Sequence, residues 1–257
     1  MDKIETYSHR EIGLVFIDTN VLNRALDYDA YYDKLTNHLG TRACCTSAYN
    51  IHELTQNQER RNAATQLLTD LEVGLTQPNR HLLRDEVRAY QLGVNPIVAN
   101  PPLLYTGDYE HTELLVGAAR ESIDRELPKG AKAESLRDFW GGRRTKGDGM
   151  SLELQTQTQL MISARRGGIE PTALFTEVHN PRVLPATKAQ TGIHWYKLHQ
   201  NPSRKAALSD VFDVGASGCF FYMDEVITEK QMGIHLKRIK NFYGMQLPTV
   251  ITSISLN

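Results

Sequence analysis

Several features that would place this sequence in a well-defined class are missing from it. It has three cysteines, an odd number, and all lie in apolar segments, which fits buried thiols better than disulfides or a thiolate metal site. No apolar run approaches the ~20 residues that a membrane-spanning helix needs. The amino-terminal residues contain no apolar stretch of signal-peptide length. We therefore expect a cytoplasmic protein with no membrane contact.

An excess of charge of one sign is missing as well. The 257 residues include 29 basic and 30 acidic side chains, for a net charge of -1. No global field would then draw the protein to nucleic acid, so a nucleic-acid partner would have to be held by local basic patches. The length allows one large domain or two small ones, at ~150 residues per domain.

The amino-terminal part of the chain alternates between strand and helix patterns. Four apolar residues, 14–17, predict a strand buried on both faces, and it ends at Asp18 before a helical pattern begins. Residues 43–46 repeat the strand pattern, Ser47 can cap a helix after it, and residues 49–71 favour that helix. Two strand-helix units in succession predict a parallel sheet.

The same alternation returns near the carboxyl terminus. We predict a short helix over 210–216, a buried strand over 219–223 that ends at Asp224, and a last strand within 247–254. The segment between, from about 76 to 204, favours helices at 80–92, 111–127 and 152–166. The ends of the chain therefore supply the sheet, and the middle is a mostly helical insertion.

Acidic residues occupy similar places in these units. Asp18 and Asp224 each follow a predicted strand, Glu53 lies in the second turn of a helix, and Asp210 and Asp213 share one side of a helical turn. Ligands of an open parallel sheet bind outside the carboxyl ends of its strands. We therefore expect these carboxylates to converge there.

Converging carboxylates repel one another, and a pair ~4 Å apart costs about 4 kcal/mol at an effective dielectric constant of 20. A divalent cation removes that cost, and ligands that are all oxygen favour Mg²⁺ or Mn²⁺ over zinc. Such ions activate water and neutralise the charge on a leaving oxygen. The acidic residues thus predict phosphodiester hydrolysis.

The motifs resemble those of the PIN-domain nucleases. Residues 16–22, Phe-Ile-Asp-Thr-Asn-Val-Leu, are similar to the family's first strand motif, and Thr46-Ser47 with Glu53 resembles its second. The stretch from Asp210 to Asp224 resembles the third and fourth. The resemblance implies an α/β, PIN-like three-layer fold with a central parallel sheet. It implies one domain, with its core at about 12–75 and 205–257 and the helical insertion at about 76–204.

The resemblance also implies an activity, that of an Mg²⁺- or Mn²⁺-dependent endoribonuclease acting on single-stranded or structured RNA. The implied catalytic residues are Asp18, Glu53, Asp210 and Asp224, and the implied metal ligands are the same four with Asp213. Met223 stands where the family has Thr or Ser, which leaves open whether Asp210 or Asp213 is the main ligand. Asn20 and Ser47 would support the ligands. DNA as substrate, an antitoxin or other protein partner, and a homodimer are compatible with the family.

A basic and aromatic cluster in the insertion is a candidate for substrate binding. Arg143, Arg144 and Lys146 could bind phosphates while Trp140 stacks on a base. An ordinary solvated loop explains the same composition.

Other classes fit the sequence less well. A haloacid-dehalogenase-like enzyme needs a second Asp at the position of Asn20, and a dinucleotide-binding enzyme needs a glycine-rich turn after the first strand. The main alternative is a catalytically inactive PIN-like module that binds RNA or protein.

Overall fold

The computed structural model describes residues 13–94, 108–127, 151–200, 207–246 and 248–252. Its centre is one sheet of five parallel strands in the order β3-β2-β1-β4-β5. The strands are β1 (Leu14–Ile17), β2 (Ala43–Thr46), β3 (Gly74–Leu75), β4 (Glu225–Thr228) and β5 (Thr249–Thr252). The predicted α/β class with a parallel sheet is confirmed.

Helices surround this sheet and make up the described part of the central segment. The α-helices are α1 (Thr19–Asp27), α2 (Asp29–Leu39), α3 (Ala48–Leu54), α4 (Arg61–Asp70), α5 (Asn79–Gln91), α6 (Tyr109–Glu126), α7 (Leu152–Arg166), α8 (Pro185–His194), α9 (Leu208–Ser217) and α10 (Lys230–Tyr243). A π-helical turn, Trp195–His199, continues α8, and 3₁₀ turns span Pro171–Leu174, Glu177–His179 and Phe220–Tyr222. None of the helices in the described ranges is long and apolar enough to cross a membrane.

The sheet is buried on both faces, and the alternation of side chains along β1 shows how. Phe16 contacts the hydrophobic cluster formed with α5 and α7–α10. Val15 and Ile17 point to the opposite face, where the cluster includes α1–α4 and α6. Successive residues of a strand point to opposite sides, so strands covered on both faces need the continuous apolar pattern seen in the sequence. The result is three layers, helix on sheet on helix.

The strand order creates a switch point beside β1. From β1 the chain moves outward through β2 to β3, whereas β4 pairs with the other side of β1 and leads outward to β5. Right-handed crossovers in opposite directions place their helices on opposite faces of the sheet. The loops after β1 and β4 therefore separate and leave a crevice at the carboxyl edge.

Two predicted elements differ from the structure. The predicted strand over 219–223 is wrong, because Phe220–Tyr222 forms a buried 3₁₀ turn and the strand begins at Glu225. A short apolar run fits a strand and a buried helical turn equally well. The predicted helix over 49–71 is two helices, α3 and α4, separated at Asn57, whose side chain accepts a hydrogen bond from the amide of Glu59 and so stabilises a turn.

The shifted strand moves Asp224 to the opposite edge of the sheet. Asp224 is exposed and accepts a hydrogen bond at Oδ2 from the amide of Leu14, the first residue of β1, at 2.8 Å. Four strand residues, about 13 Å at ~3.3 Å each, separate this amino edge from the carboxyl edge. The placement of Asp224 in the acidic crevice is therefore wrong.

Gly215 fixes how closely α9 approaches α3. A Cβ atom at Gly215 would lie 2.6 Å from the ring of Tyr49, which is buried and hydrogen-bonds Glu126 through its hydroxyl at 2.6 Å. Because the Tyr49 ring is buried and its hydroxyl is hydrogen-bonded, the ring has little freedom to move away from an added methyl group.

We predict that Gly215→Ala lowers the free energy of unfolding by about 1–3 kcal/mol. Gly117 is the control, since it lies within α6 with open space around its Cα, and Gly117→Ala should raise the same quantity by about 0.5–1 kcal/mol. Urea unfolding of both variants and the wild type tests this. Equal effects of the two substitutions would contradict the close contact.

Candidate functional site

The buried carboxylate of Asp18 occupies the centre of the carboxyl edge. Asp18 follows β1, is 4% exposed, and accepts a hydrogen bond at Oδ1 from the amide of Thr19 at 2.8 Å, which caps α1. Ile17 pairs with Ile227 in the sheet, so Thr228 lies beside Asp18 and its hydroxyl donates to Oδ2 at 2.6 Å. The side-chain Nδ2 group of Asn50 donates to Oδ1 at 3.0 Å. Three elements therefore hold this one side chain.

Ser47 acts on Asp18 through Asn50. The Ser47 hydroxyl caps α3 by accepting from the Asn50 amide at 3.3 Å, and it donates to Asn50 Oδ1 at 2.5 Å. These two bonds turn the Asn50 Nδ2 group toward Asp18 and the Thr19 hydroxyl, 2.8 Å away. Sequence reasoning missed Asn50; its place three residues after a capping serine was the available signal.

Two further carboxylates lie near Asp18, and a third lies near one of these two. Glu53 on α3 hydrogen-bonds the Thr19 side chain and interacts electrostatically with Asp213 and Asp18. Asp213 on α9 interacts in the same way with Asp18 and with Glu229, the residue that follows β4. We call Asp18, Glu53, Asp213 and Glu229 the acidic cluster.

Glu229 takes the place expected for Asp224. The Nδ2 group of Asn20 lies 3.5 Å from Glu229 Oε2, a long contact on the exposed side of the crevice. The sequence contained the signal, since residues 226–229, Val-Ile-Thr-Glu, repeat the arrangement of an apolar strand followed by an acid seen at Asp18. The strand was predicted instead at the apolar run 219–223, which lies just before residues 226–229.

A lysine from the insertion enters the acidic cluster. Lys197 lies in the π-helical turn after α8, is buried, and forms an ion pair with Asp213. Its Nζ atom is also 3.5 Å from Oδ1 of Asp210, whose Oδ2 accepts from the amide of Ala207 at 2.8 Å and caps α9. Asp210 thus has a structural role at a helix end, and Asp213 is the residue of the pair that faces Asp18.

Burial raises the pKa of three carboxyl groups, those of Asp18, Glu53 and Asp213. Desolvation raises the pKa of Glu53 to about 7 and that of Asp213 to about 6, and neighbouring negative charges add to both effects. Burial also raises the pKa of Asp18, against the hydrogen bonds from Thr228, Thr19 and Asn50. Burial acts to lower the pKa of Lys197, but Asp213 and the other carboxylates raise it overall.

The chemistry of the donor set suits a hard cation, although its side chains are spread too widely to share one ion as they stand. All donors of the acidic cluster are carboxylate oxygens, the ligands that Mg²⁺ and Mn²⁺ prefer. Within the ranges that the structure describes, no three acidic, histidine or cysteine side chains are close enough to share one ion. The ammonium group of Lys197 supplies the positive charge instead.

The predicted basic cluster cannot be placed relative to this site. Arg143, Arg144, Lys146 and Trp140 lie outside the described residues.

Comparison with known proteins gives no relative for this arrangement. No family model matches the chain, and no curated protein or solved structure matches it either.

The raised pKa of Glu53 predicts a pH dependence of stability. Between about 4.5 and 7 the folded protein holds a proton on Glu53 that the unfolded chain has released, so this group stabilises the fold at low pH and the contribution is lost as the pH rises through 7. Glu53→Gln cannot titrate. Its free energy of unfolding should therefore rise relative to wild type across this range, by at most about 1.4 kcal/mol per pH unit.

Urea unfolding at pH 5 and pH 8 in EDTA measures this difference. Glu59→Gln, which changes an exposed carboxylate after α3, is the matched control and should follow the wild type. If the free energy of unfolding of Glu53→Gln equals that of the wild type at both pH 5 and pH 8, Glu53 is not held in a desolvated position.

Proposed function

We propose that the protein is a metal-dependent nuclease that hydrolyses the phosphodiester bonds of RNA at the acidic cluster. The observation that carries the proposal is the placement of Asp18, Glu53, Asp213 and Glu229 at the switch point of a parallel sheet. Like charges held together by a fold cost free energy. Such an arrangement is typical of sites where function requires the charges, and it agrees with the resemblance to the PIN-domain nucleases.

The residues of the acidic cluster would have different chemical roles, according to how deeply each is buried. Asp18 and Asp213 would hold an Mg²⁺ or Mn²⁺ ion, with Glu229 at the exposed rim. When bound, such an ion lowers the pKa of water and neutralises charge on the phosphate. Glu53 is less buried than Asp18, and a pKa of about 7 suits a group that accepts a proton from water near neutral pH.

The hydrogen bonds around Asp18 would preserve its orientation during the reaction. Thr228, Asn50 and the amide of Thr19 all donate to it. Each donor favours the ionised form that a metal ligand needs, and a fixed carboxylate requires no reorganisation when substrate binds.

We predict that Asp18→Asn and Asp213→Asn each reduce cleavage of labelled single-stranded RNA at least ~100-fold in Mg²⁺ or Mn²⁺. EDTA should abolish cleavage by the wild type. Asp224→Asn is the matched control, because Asp224 lies at the opposite edge of the sheet, and it should retain activity within about twofold. Circular dichroism establishes that each variant is folded.

A DNA strand of the same sequence, run in parallel, separates ribonuclease from deoxyribonuclease activity. Loss of cleavage in Asp224→Asn equal to that in Asp18→Asn would contradict the proposed site.

One observation favours a second function, an inactive module that binds RNA or protein. Lys197 pairs with Asp213 and lies near Asp210, so the chain neutralises part of its own acidic cluster without a metal ion. A catalytic metal would have to displace this ammonium group from Asp213.

The two functions predict different responses to Lys197→Met. In the nuclease, Lys197 competes with Mn²⁺ for Asp213, so its removal should tighten Mn²⁺ binding by about tenfold or more. An ion pair at ~4 Å and an effective dielectric constant near 20 is strong enough for this competition. Titration calorimetry at pH 7 measures the affinity. Lys237→Met, on the exposed side of α10, should not change it. If neither the wild type nor Lys197→Met binds Mn²⁺ while both are folded, the binding module is the better account.

A further inference from the structure

A large cavity opens within the helical layer, away from the acidic cluster. It encloses about 970 Å³ between α5, α7 and α8, with Tyr49, Glu126 and Val214 along one side. Small-molecule sites in proteins typically have volumes of about 300–1,000 Å³. None of the four residues of the acidic cluster lines it, so it is a separate feature of the molecule.

Four arginines surround this cavity. Arg80, Arg84 and Arg88 are spaced four residues apart along α5 and so form one stripe, and Arg166 faces them from the end of α7. Arg84 lies 3.4 Å from Asp85. The other three have no acidic partner in the described part of the chain. Glu126 is the single carboxylate among the described lining residues, and it accepts from Tyr49.

Such a stripe is unfavourable for the free protein. Like charges at positions i and i+4 destabilise a helix, and here two such pairs follow in succession on α5. The opposite face of this helix is buried through Leu82 and Ala89, so the stripe cannot rotate away from the cavity. An anion between the arginines would remove the repulsion. The planar guanidinium group matches phosphate oxygens in a bidentate geometry.

The wall beneath the arginines contains polar groups with unsatisfied hydrogen-bonding capacity. Gln155 and Thr187 line the cavity and are buried, and both Gln155 Oε1 and Thr187 Oγ1 are without a hydrogen-bond partner. Buried polar atoms in native proteins are nearly always paired. Each of these atoms is itself closed to water, so a ligand pairs with it only after the side chain changes rotamer. A ligand with hydroxyl or amino groups would then satisfy both atoms, which inorganic phosphate alone does not do as well.

We propose that this arginine-lined cavity is a nucleotide-binding site, which holds the phosphate between Arg88 and Arg166 and the sugar or base against Gln155 and Thr187. The nucleotide is either free or the phosphorylated end of a polynucleotide, since both present the same chemistry. The site is independent of the proposed cleavage at the acidic cluster. An acidic peptide also offers negative charge to the arginines, but its backbone N–H groups are not held beside a phosphate as the sugar and base groups of a nucleotide are.

Calorimetric titration in EDTA, where no metal-dependent cleavage can occur, tests the proposal. The probes are AMP, adenosine, inorganic phosphate, hexauridylate with and without a 5′-phosphate, and hexaglutamate. We expect saturable binding of AMP or of the phosphorylated hexauridylate, and binding at least about tenfold weaker for the matching probe without phosphate. AMP binding identifies a free nucleotide as the ligand; binding of the phosphorylated strand alone identifies a strand end.

Three variants locate the binding. Arg88→Ala with Arg166→Ala should weaken it at least about tenfold, because two charge-assisted contacts are lost. Arg165→Ala, which changes the exposed neighbour that does not line the cavity, should leave it within twofold. Thr187→Val should weaken AMP binding more than phosphate binding.

The proposal is overturned if no phosphate-bearing probe binds saturably, if Arg165→Ala has the same effect as the double variant, or if hexaglutamate binds and the nucleotides do not. Because the readout is binding without metal, failure of the nuclease proposal would leave this result standing, and the reverse also holds.

Discussion

The carboxylate of Asp18 lies in a position that water scarcely reaches, and three neighbouring groups supply the hydrogen bonds that water would otherwise provide. Thr228 is on the strand beside it, Asn50 is on α3, and the amide of Thr19 begins α1. A buried charge without such partners is strongly destabilising. The positions of β4, α3 and α1 at the carboxyl edge are therefore linked through one side chain.

This constraint extends to the insertion, which is part of the site. Asp213 on α9 lies near Asp18 and brings a second, half-buried negative charge, and the balancing positive charge comes from Lys197 after α8. Removing one partner of a buried ion pair costs more than the pair contributes, so α8 and α9 are held together by this contact. The π-helical turn at Trp195–His199 places the lysine there, and π-helical turns are frequent at functional sites.

The sequence predicted elements correctly where a strand pattern is followed by a helix pattern. It did not predict residues whose positions depend on contacts between distant parts of the chain. The strands at 14–17 and 43–46 and the helix at 152–166 agree with prediction. Each of the two strand runs ends at a residue that can cap the helix pattern after it, and the helix ends at a pair of glycines. Asp224 was misplaced because the run before it fits a strand and a buried turn equally. No local pattern indicated Lys197, whose role depends on a contact with α9 that only the folded chain creates.

The acidic cluster and the arginine-lined cavity meet at α9, where consecutive residues serve different sites. Asp213 faces Lys197, Val214 lines the cavity, and Gly215 lets the helix approach Tyr49. Tyr49 lies on α3, the helix that carries Glu53, and its hydroxyl bonds to Glu126 in the cavity wall. The packing of α3 against α9 therefore shapes both places: it sets the separation of Glu53 and Asp213 on one side and puts Tyr49 and Val214 in the cavity wall on the other.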